Sequence, residues 1–389
     1  MFGYGFLSLV LALYLAAVGL DPFTVGLLLT LTLGGDAVIS LVLATRADVV
    51  GRRRTLVAGG LLMAAGGAVF AVTGEFAWLA IAAIVGVISP SGNEVGPFLA
   101  VEQAALSEIT DPRRRTHVFA RYQLVGSLAT AAGALVAGVL VQGLVGVGLA
   151  AVDAYRVVLV AYALIGLALA GGFRGLSAAV EPRAPADPSI RRRLGLHRSQ
   201  RVVAGLSGLF ALDAFGGGFV VQSVVALWFV VRFGAEPALL GAIFFGANAL
   251  AGLSGIVAAR LADRIGLLNT MVATHMPSNV LLILVPLMPT LPLAIAVLLA
   301  RFSISQMDVP TRQSYTMAVV DPDERSAAAG ITSVARSAGA ALSPVLAAPM
   351  VANPALAAVP FIVAGVLKLA YDVALWRAFR AVRSRDPGT

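Results

Sequence analysis

Apolar stretches of 18 or more residues recur from one end of the chain to the other, separated by short polar or basic connectors. Each is long enough to cross an approximately 30 Å hydrocarbon core as a helix. The composition leaves no other home for them. Only 12% of residues are charged and the mean hydropathy is +0.91, against about 25% charged in a soluble domain. An aqueous surface cannot be covered with so few charges, so the chain reads as an all-α integral membrane protein.

The net charge of +8 does not point to nucleic acid, because its distribution is topological. Of 28 basic residues, all are arginine except Lys368, a bias read as genome base composition. Twenty-one lie in alternate connectors, at Arg46, Arg52 to Arg54, Arg113 to Arg115, Arg174 to Arg201, Arg260 and Arg264, Arg325, and Arg377 to Arg385. The intervening connectors hold only Arg156 and Arg232. By the positive-inside rule both termini face the cytoplasm, and the protein is multi-pass in the cytoplasmic (inner) membrane. The chain has no cysteine, which excludes disulfides and Cys-based metal sites. Met1 to Leu20 lacks the charged leader and small-residue cleavage site of a signal peptide and reads as the first span. It begins with almost no cytoplasmic lead, so a start codon further upstream is an open alternative.

Hydropathy and basic-connector parity give twelve spans, near 3–20, 23–45, 55–73, 77–108, 117–142, 152–173, 202–231, 237–261, 268–288, 291–318, 327–350 and 355–377. The polar interval Arg174 to Arg201 divides them into two pseudo-symmetric six-helix bundles, 1–174 and 202–389. Residues 175–201 form a cytoplasmic linker, and a short cytoplasmic tail closes the chain. The halves repeat. Val25-Gly26, Asp48-x-x-Gly51 and Thr55 recur 215 residues later as Leu240-Gly241, Asp263-x-x-Gly266 and Thr270. Asp111-Pro112 mirrors Asp321-Pro322, and Asn93-Glu94-Val95 aligns with Met307-Asp308-Val309. Two related halves with a site at their interface are the usual plan of a secondary transporter.

Asp48-Val49-Val50-Gly51-Arg52-Arg53-Arg54 resembles the loop signature between spans two and three of the major facilitator superfamily. Its partial copy, Asp263-Arg264-Ile265-Gly266, sits after span eight, where that family places it. Gly51 permits a tight reversal, and the arginines can anchor on anionic headgroups. The resemblance implies that Asp48 helps latch the cytoplasmic side, with Gly51, Arg52, Asp263 and Arg264 in the same device; a merely basic, topogenic loop is the alternative. Ala44 stands where the family often has glycine. Span four has Val87 where proton-coupled members often carry arginine, and Arg301 takes the corresponding place in span ten. Span five has Gly126, Gly133 and Gly138 but no proline, so the signature of drug antiporters is absent. Glycines at that spacing also serve close helix packing.

Charges inside spans carry the functional reading, because an ionisable side chain in hydrocarbon is costly. Read as one helix, span ten puts Arg301, Ser305, Asp308, Arg312 and Tyr315 on one face, with Arg301 near the bilayer midplane. Span four offers Ser91, Glu94, Phe98 and Glu102, with Pro90, Gly92 and Pro97 loosening the helix. Asp36 in span two and Asp213 in span seven fall at similar depth, Asp213 beside Gly216-Gly217-Gly218. The resemblance implies that spans one, four, seven and ten line a central cavity. Structural ion pairing is the alternative for each of these residues. Glu102, Arg121 and Arg312 can snorkel to the interface, and Arg336 is expected to hold the two halves together. Trp78, Trp228 and Trp376 sit near span ends, as interface anchors do.

A carboxylate near an arginine is the physical kit for proton coupling, and replacing Asp308 by Asn is expected to abolish pH-driven transport. The segments Gly59-Gly60 and Gly66-Gly67 lack the Lys and Ser/Thr of a phosphate loop. His117, His197 and His275 show no metal-ligand spacing. No cofactor, metal or enzymatic activity is expected. The partners expected are a small-molecule substrate, a proton and the lipid bilayer, with the protein a monomer. The expected function is secondary active transport of a small solute by alternating access, proton-coupled, with export favoured by analogy to compact bacterial relatives. The alternative is an organic-anion facilitator or importer that uses Arg301 and Arg312 as an anion clamp.

Overall fold

The computed structural model describes residues 1–92, 98–110, 115–181, 198–321 and 324–380. Among these the regular structure is helical: α1 (Phe2–Ala17), α2 (Pro22–Val50), α3 (Arg52–Val72), α4 (Phe76–Val85), α5 (Phe98–Ile109), α6 (Arg115–Gly146), α7 (Ala151–Arg174), α8 (Gln200–Gly218), α9 (Gln222–Phe233) and α10 (Pro237–Ile265). The series continues with α11 (Leu267–Leu284), α12 (Leu291–Phe302), α13 (Asp308–Val319), α14 (Arg325–Ala341), α15 (Pro344–Ala352) and α16 (Val359–Phe379). Short 3₁₀ turns lie at Ala178–Val180 and Val285–Leu287. Among the described residues nine segments are long and apolar enough to span a bilayer, and three shorter apolar helices are Phe2–Ala17, Phe76–Val85 and Leu291–Phe302. Each of the twelve intervals read from the sequence holds one of these segments.

The chain forms two compact units. One comprises Met1–Ala186, Val221–Phe245 and Pro344–Pro354; the other comprises Asp187–Val220, Gly246–Ser343 and Ala355–Thr389. In the first, α1 packs on α6, α7 and α9, α3 on α7, and α2 on α4 and α15. In the second, α8 packs on α14 and α16, and α11 on α12, α13 and α16. Large apolar side chains such as Leu61, Val72, Leu164 and Val366 remain more than 40% exposed, as lipid-facing residues do. Trp78 and Trp376 are 58% and 38% exposed, whereas Trp228 is 1% exposed and packs edge-on against Phe229 and Phe233. Trp228 is therefore a core residue and not an interface anchor.

The glycines of span five work by close approach. A Cβ on Gly133 would stand 2.1 Å from the Phe2 carbonyl oxygen, and one on Gly138 would stand 2.3 Å from that of Pro237. Gly133→Leu is expected to push α1 from α6 and to lose at least about 1–3 kcal/mol by overpacking. Gly143→Ala, with nothing within 4 Å of its new methyl, should leave the unfolding temperature in detergent unchanged.

The 215-residue repeat is visible in the backbone. Gly51 and Gly266 both take positive φ, +107° and +83°, a conformation open to glycine without steric cost. Each donates its N–H to the residue four before, Ala47 or Ala262, at 2.9 Å. The hydroxyls of Thr55 and Thr270 return to the glycine carbonyls at 3.0 and 2.8 Å.

Spans four and ten depart from the continuous helices expected. Span ten breaks at 303–307, between α12 and α13. Pro310 has no N–H, and its ring would clash with the carbonyl four residues earlier, so it is accommodated only in the first turn of a new helix. Arg301, Ser305, Asp308, Arg312 and Tyr315 therefore do not share one helix face; only Asp308, Arg312 and Tyr315 lie on α13. Span four unwinds after Val85, with Gly92 at φ +75°. Non-helical backbone is tolerated at membrane depth only where its polar groups find protein partners. Here Tyr162 donates its hydroxyl to the Val87 carbonyl, and Ser223 donates N–H and O–H to that of Pro90 at 3.0 and 2.9 Å.

Candidate functional site

The charged centre of the second unit grows from helical stripes that are otherwise apolar. On α8 the buried positions Val203, Leu206, Phe210, Asp213 and Ala214 follow a helical period. On α16, Phe361, Ala364, Lys368, Tyr371, Asp372 and Leu375 do the same, as do Met271, Thr274, His275, Ser278, Asn279 and Leu282 on α11. Each stripe thus carries its ionisable groups into the bundle interior. Gly216 leaves room for the lysine, since a Cβ there would stand 3.2 Å from Lys368 Cγ. Gly218, in the same run, lets α8 approach α14, since a Cβ there would stand 2.3 Å from the Ala340 carbonyl oxygen.

Asp213, 2% exposed, is the hub. Its Oδ1 accepts from Lys368 Nζ at 2.6 Å, and its Oδ2 accepts from Arg336 Nη1 at 3.0 Å. Arg312 Nη1 lies 3.6 Å from Oδ2 and donates to Asp308 Oδ2 at 2.7 Å. One carboxylate on α8 thereby ties α13, α14 and α16. His275 extends the network from α11. Its Nδ1 is 2.7 Å from Asp372 Oδ1, and its Nε2 is 3.7 Å from Asp213 Oδ1. Asn279 donates to Asp372 Oδ2 at 3.0 Å. An ionised carboxylate only accepts, so Nδ1 carries the proton in the bond to Asp372. Neutral His275 then turns a bare Nε2 towards Asp213, and a second proton there would make it a donor to that carboxylate. Burying charges of both signs costs several kcal/mol per ion before their attraction repays it, so the array is expensive and tightly cross-tied.

Of the residues singled out from sequence, Asp213, Asp308 and Arg312 come together here. Arg312, 7% exposed, is inside the network and not snorkelled to an interface. Arg336 makes its bond within this unit and not between the halves. Tyr315 stands apart, stacked edge-on with Phe379 and donating to its carbonyl at 3.4 Å. Arg301 is half-buried beside the Phe302 ring, its Nε enclosed without a hydrogen-bond partner, and the Ser305 hydroxyl is likewise enclosed and unpartnered. Asp36, in the first unit, accepts from Ser40 at 3.0 Å, and Tyr122 donates to Glu102 at 2.6 Å. Glu94 lies outside the described residues, as does the side chain of Asp48.

The basic loop shows a different use of its residues. The backbone N–H groups of Arg52 and Arg53 donate to the carboxylate of Glu181 at 2.8 and 3.2 Å. Glu181 thus satisfies two of the open donors at the start of α3. Arg52 is 4% exposed and reaches the Val180 carbonyl at 3.3 Å, while Asp263 and Arg264 are exposed. Glu181→Ala is expected to cost roughly 0.5–2 kcal/mol, the range of a lost helix cap, read as a lower unfolding temperature of the purified protein.

Sequence reasoning passed over Lys368, His275, Asp372 and Asn279. A signal was there: Lys368 is the lone lysine among arginines, it lies inside a span, and Asp372 follows one helical turn later.

A family model described as the Major Facilitator Superfamily matches residues 1–344. The chain belongs to the major facilitator superfamily. Its fold is that of the family's transporters, and it is a multi-pass membrane protein. The chain is 28% identical to the uncharacterized membrane protein YJR124C of Saccharomyces cerevisiae, covering 99% of this chain and 92% of the relative. Among solved structures, a D-xylose-proton symporter superposes with a TM-score of 0.73 at 15% identity, over 97% of this chain and 94% of the other. A bacterial homolog of the human lysosomal transporter Spinster gives 0.69 at 15% identity, over 99% and 96%. At such identities the likeness is one of architecture and carries no substrate.

Proposed function

We propose that the protein is a proton-coupled secondary transporter that moves a small solute across the cytoplasmic membrane by alternating access, with both termini cytoplasmic. The observation that carries this reading is Asp213, buried inside a bundle of membrane helices and shared by Lys368, Arg336, Arg312 and His275. A structural ion pair needs one partner; this carboxylate has several, on four other helices, and one of them is a histidine. Histidine changes charge near neutral pH in its unperturbed state. A proton arriving at His275 Nε2 makes it a new donor to Asp213 Oδ1, in competition with Lys368, which bonds the same oxygen. Helix ties then follow the charge state of one imidazole. Asp372 and Asn279 hold that imidazole in place.

An anion clamp built on both Arg301 and Arg312 is disfavoured, because Arg312 already bonds Asp308 at 2.7 Å. The proposal is tested by screening purified protein against a solute library at two pH values for thermal stabilisation. A stabilising solute is then followed into proteoliposomes with and without an imposed pH gradient. Coupled transport should accumulate the solute only with the gradient and lose it on adding a protonophore. Identical initial rates under all conditions would leave a facilitator in its place.

A further inference from the structure

We infer that Arg301 and Ser305 form a subsite for an anionic group of the transported solute, a carboxylate in the first instance. This deepens the transport reading and rests on it. The charges inside the second unit's spans do not balance. Arg301, Arg312, Arg336 and Lys368 are cationic side chains on α12, α13, α14 and α16, whereas the carboxylates gathered at the hub are Asp213, Asp308 and Asp372. Three of the cations are used. Lys368 and Arg336 bond Asp213, Arg312 bonds Asp308, and Asp372 is taken by His275 and Asn279. Arg301 is left over, with no carboxylate within salt-bridge distance among the described residues.

Its surroundings point the same way. Arg301 lies in the last turn of α12, and its carbonyl is held by the N–H groups of Ile304 and Ser305 at 3.2 and 3.0 Å. Those bonds fix the turn between α12 and α13 and place Ser305 one backbone turn beyond Arg301. Ser305 is 7% exposed, and among the described residues neither its hydroxyl nor Arg301 Nε has a hydrogen-bond partner. Buried polar groups are nearly always hydrogen-bonded, so two orphans four residues apart mark a place whose partner arrives from outside. A planar carboxylate matches the guanidinium fork, and the serine hydroxyl can donate to its second oxygen. The break in the helix is also where transporters commonly hold substrate against freed backbone. Chloride or inorganic phosphate would satisfy the charge but not the apolar remainder of a solute lying along Phe302.

The test is binding, not transport. The full chain in detergent is followed by thermal unfolding with sodium benzoate, benzamide, benzylamine, sodium chloride and inorganic phosphate as probes. Benzoate should stabilise it in a saturable way, with benzamide and benzylamine ineffective. Arg301→Gln should weaken benzoate at least about tenfold, the ratio expected for one lost charge-assisted pair. Ser305→Ala should weaken it a few-fold, and serves alone should Arg301→Gln not fold. Equal stabilisation by benzamide, an unchanged benzoate response in both variants, or no response to benzoate would overturn the proposal. Phosphate or chloride acting as well as benzoate would also overturn it, leaving a simple anion site. None of these readouts needs a pH gradient, so the subsite can fail while proton coupling stands, and the reverse.

Discussion

Asp213→Asn should be the most damaging conservative substitution in this protein. Asparagine keeps the shape of aspartate but removes the charge shared by Lys368, Arg336 and Arg312. Each of those cations then stays buried with its compensation reduced. Breaking a buried pair by deleting one partner typically costs roughly 3–5 kcal/mol, much of it the uncompensated charge left behind. The expected result is a steep fall in unfolding temperature and in the monodisperse fraction on gel filtration. Asp213→Asn with Lys368→Met removes one charge of each sign and should recover part of the loss, because swapping an ion pair for apolar packing is far cheaper than halving it. A single variant within about 0.5 kcal/mol of the wild type, a size ordinary for surface substitutions, would mean that Asp213 is not the hub.

The second large effect concerns His275 and transport, with folding spared. His275→Asn retains a side-chain donor near the position of Nδ1, so the bond to Asp372 can persist, but it can no longer take up a proton. One pH unit is worth about 1.36 kcal/mol, a factor of ten. A transporter moving one proton per solute should therefore reach about tenfold accumulation per unit of gradient, and His275→Asn should reach none. Solute counterflow, which needs no gradient, should survive in the variant. The two assays separate coupling from the translocation pathway. Gradient-driven accumulation that persists in His275→Asn would remove the imidazole from the mechanism and return attention to Asp308, whose charge governs the Arg312 bond directly.

These predictions differ from those the sequence alone supports, and the difference has a physical origin. The spacing from Arg301 to Tyr315 suggested one polar face, because a helical period is a local property and nothing in the spacing reveals a break. Pro310 was the warning: a proline fits only the first turn of a helix, so the residues before it needed another conformation. Asp308, Arg312 and Asp213 were legible as charges inside spans, where any ionisable residue is conspicuous. Lys368 was read as a compositional curiosity, and His275 was set aside for lack of metal-ligand spacing. Each makes sense only beside its partner. Lys368 and Asp213 are 155 residues apart, and His275 and Asp372 are 97 apart. The loop residues illustrate the converse. Gly51 and Gly266 could be paired from their offset alone, because a reversal requiring positive φ leaves a glycine in the sequence, while the capping of α3 by Glu181 left no local trace.

What the amino-acid sequence determined by itself was what depends on the solvent and on local backbone: which segments are apolar enough to enter hydrocarbon, which connectors are basic, and a glycine turn repeated 215 residues later. Transfer between water and lipid is settled residue by residue over some twenty positions, so a one-dimensional reading captures it. What only the tertiary structure decided was the electrical wiring of the interior. Whether a buried charge is neutralised, shared or left over depends on atoms a few ångströms away on helices far off in the chain, and attraction at that range is set by packing geometry.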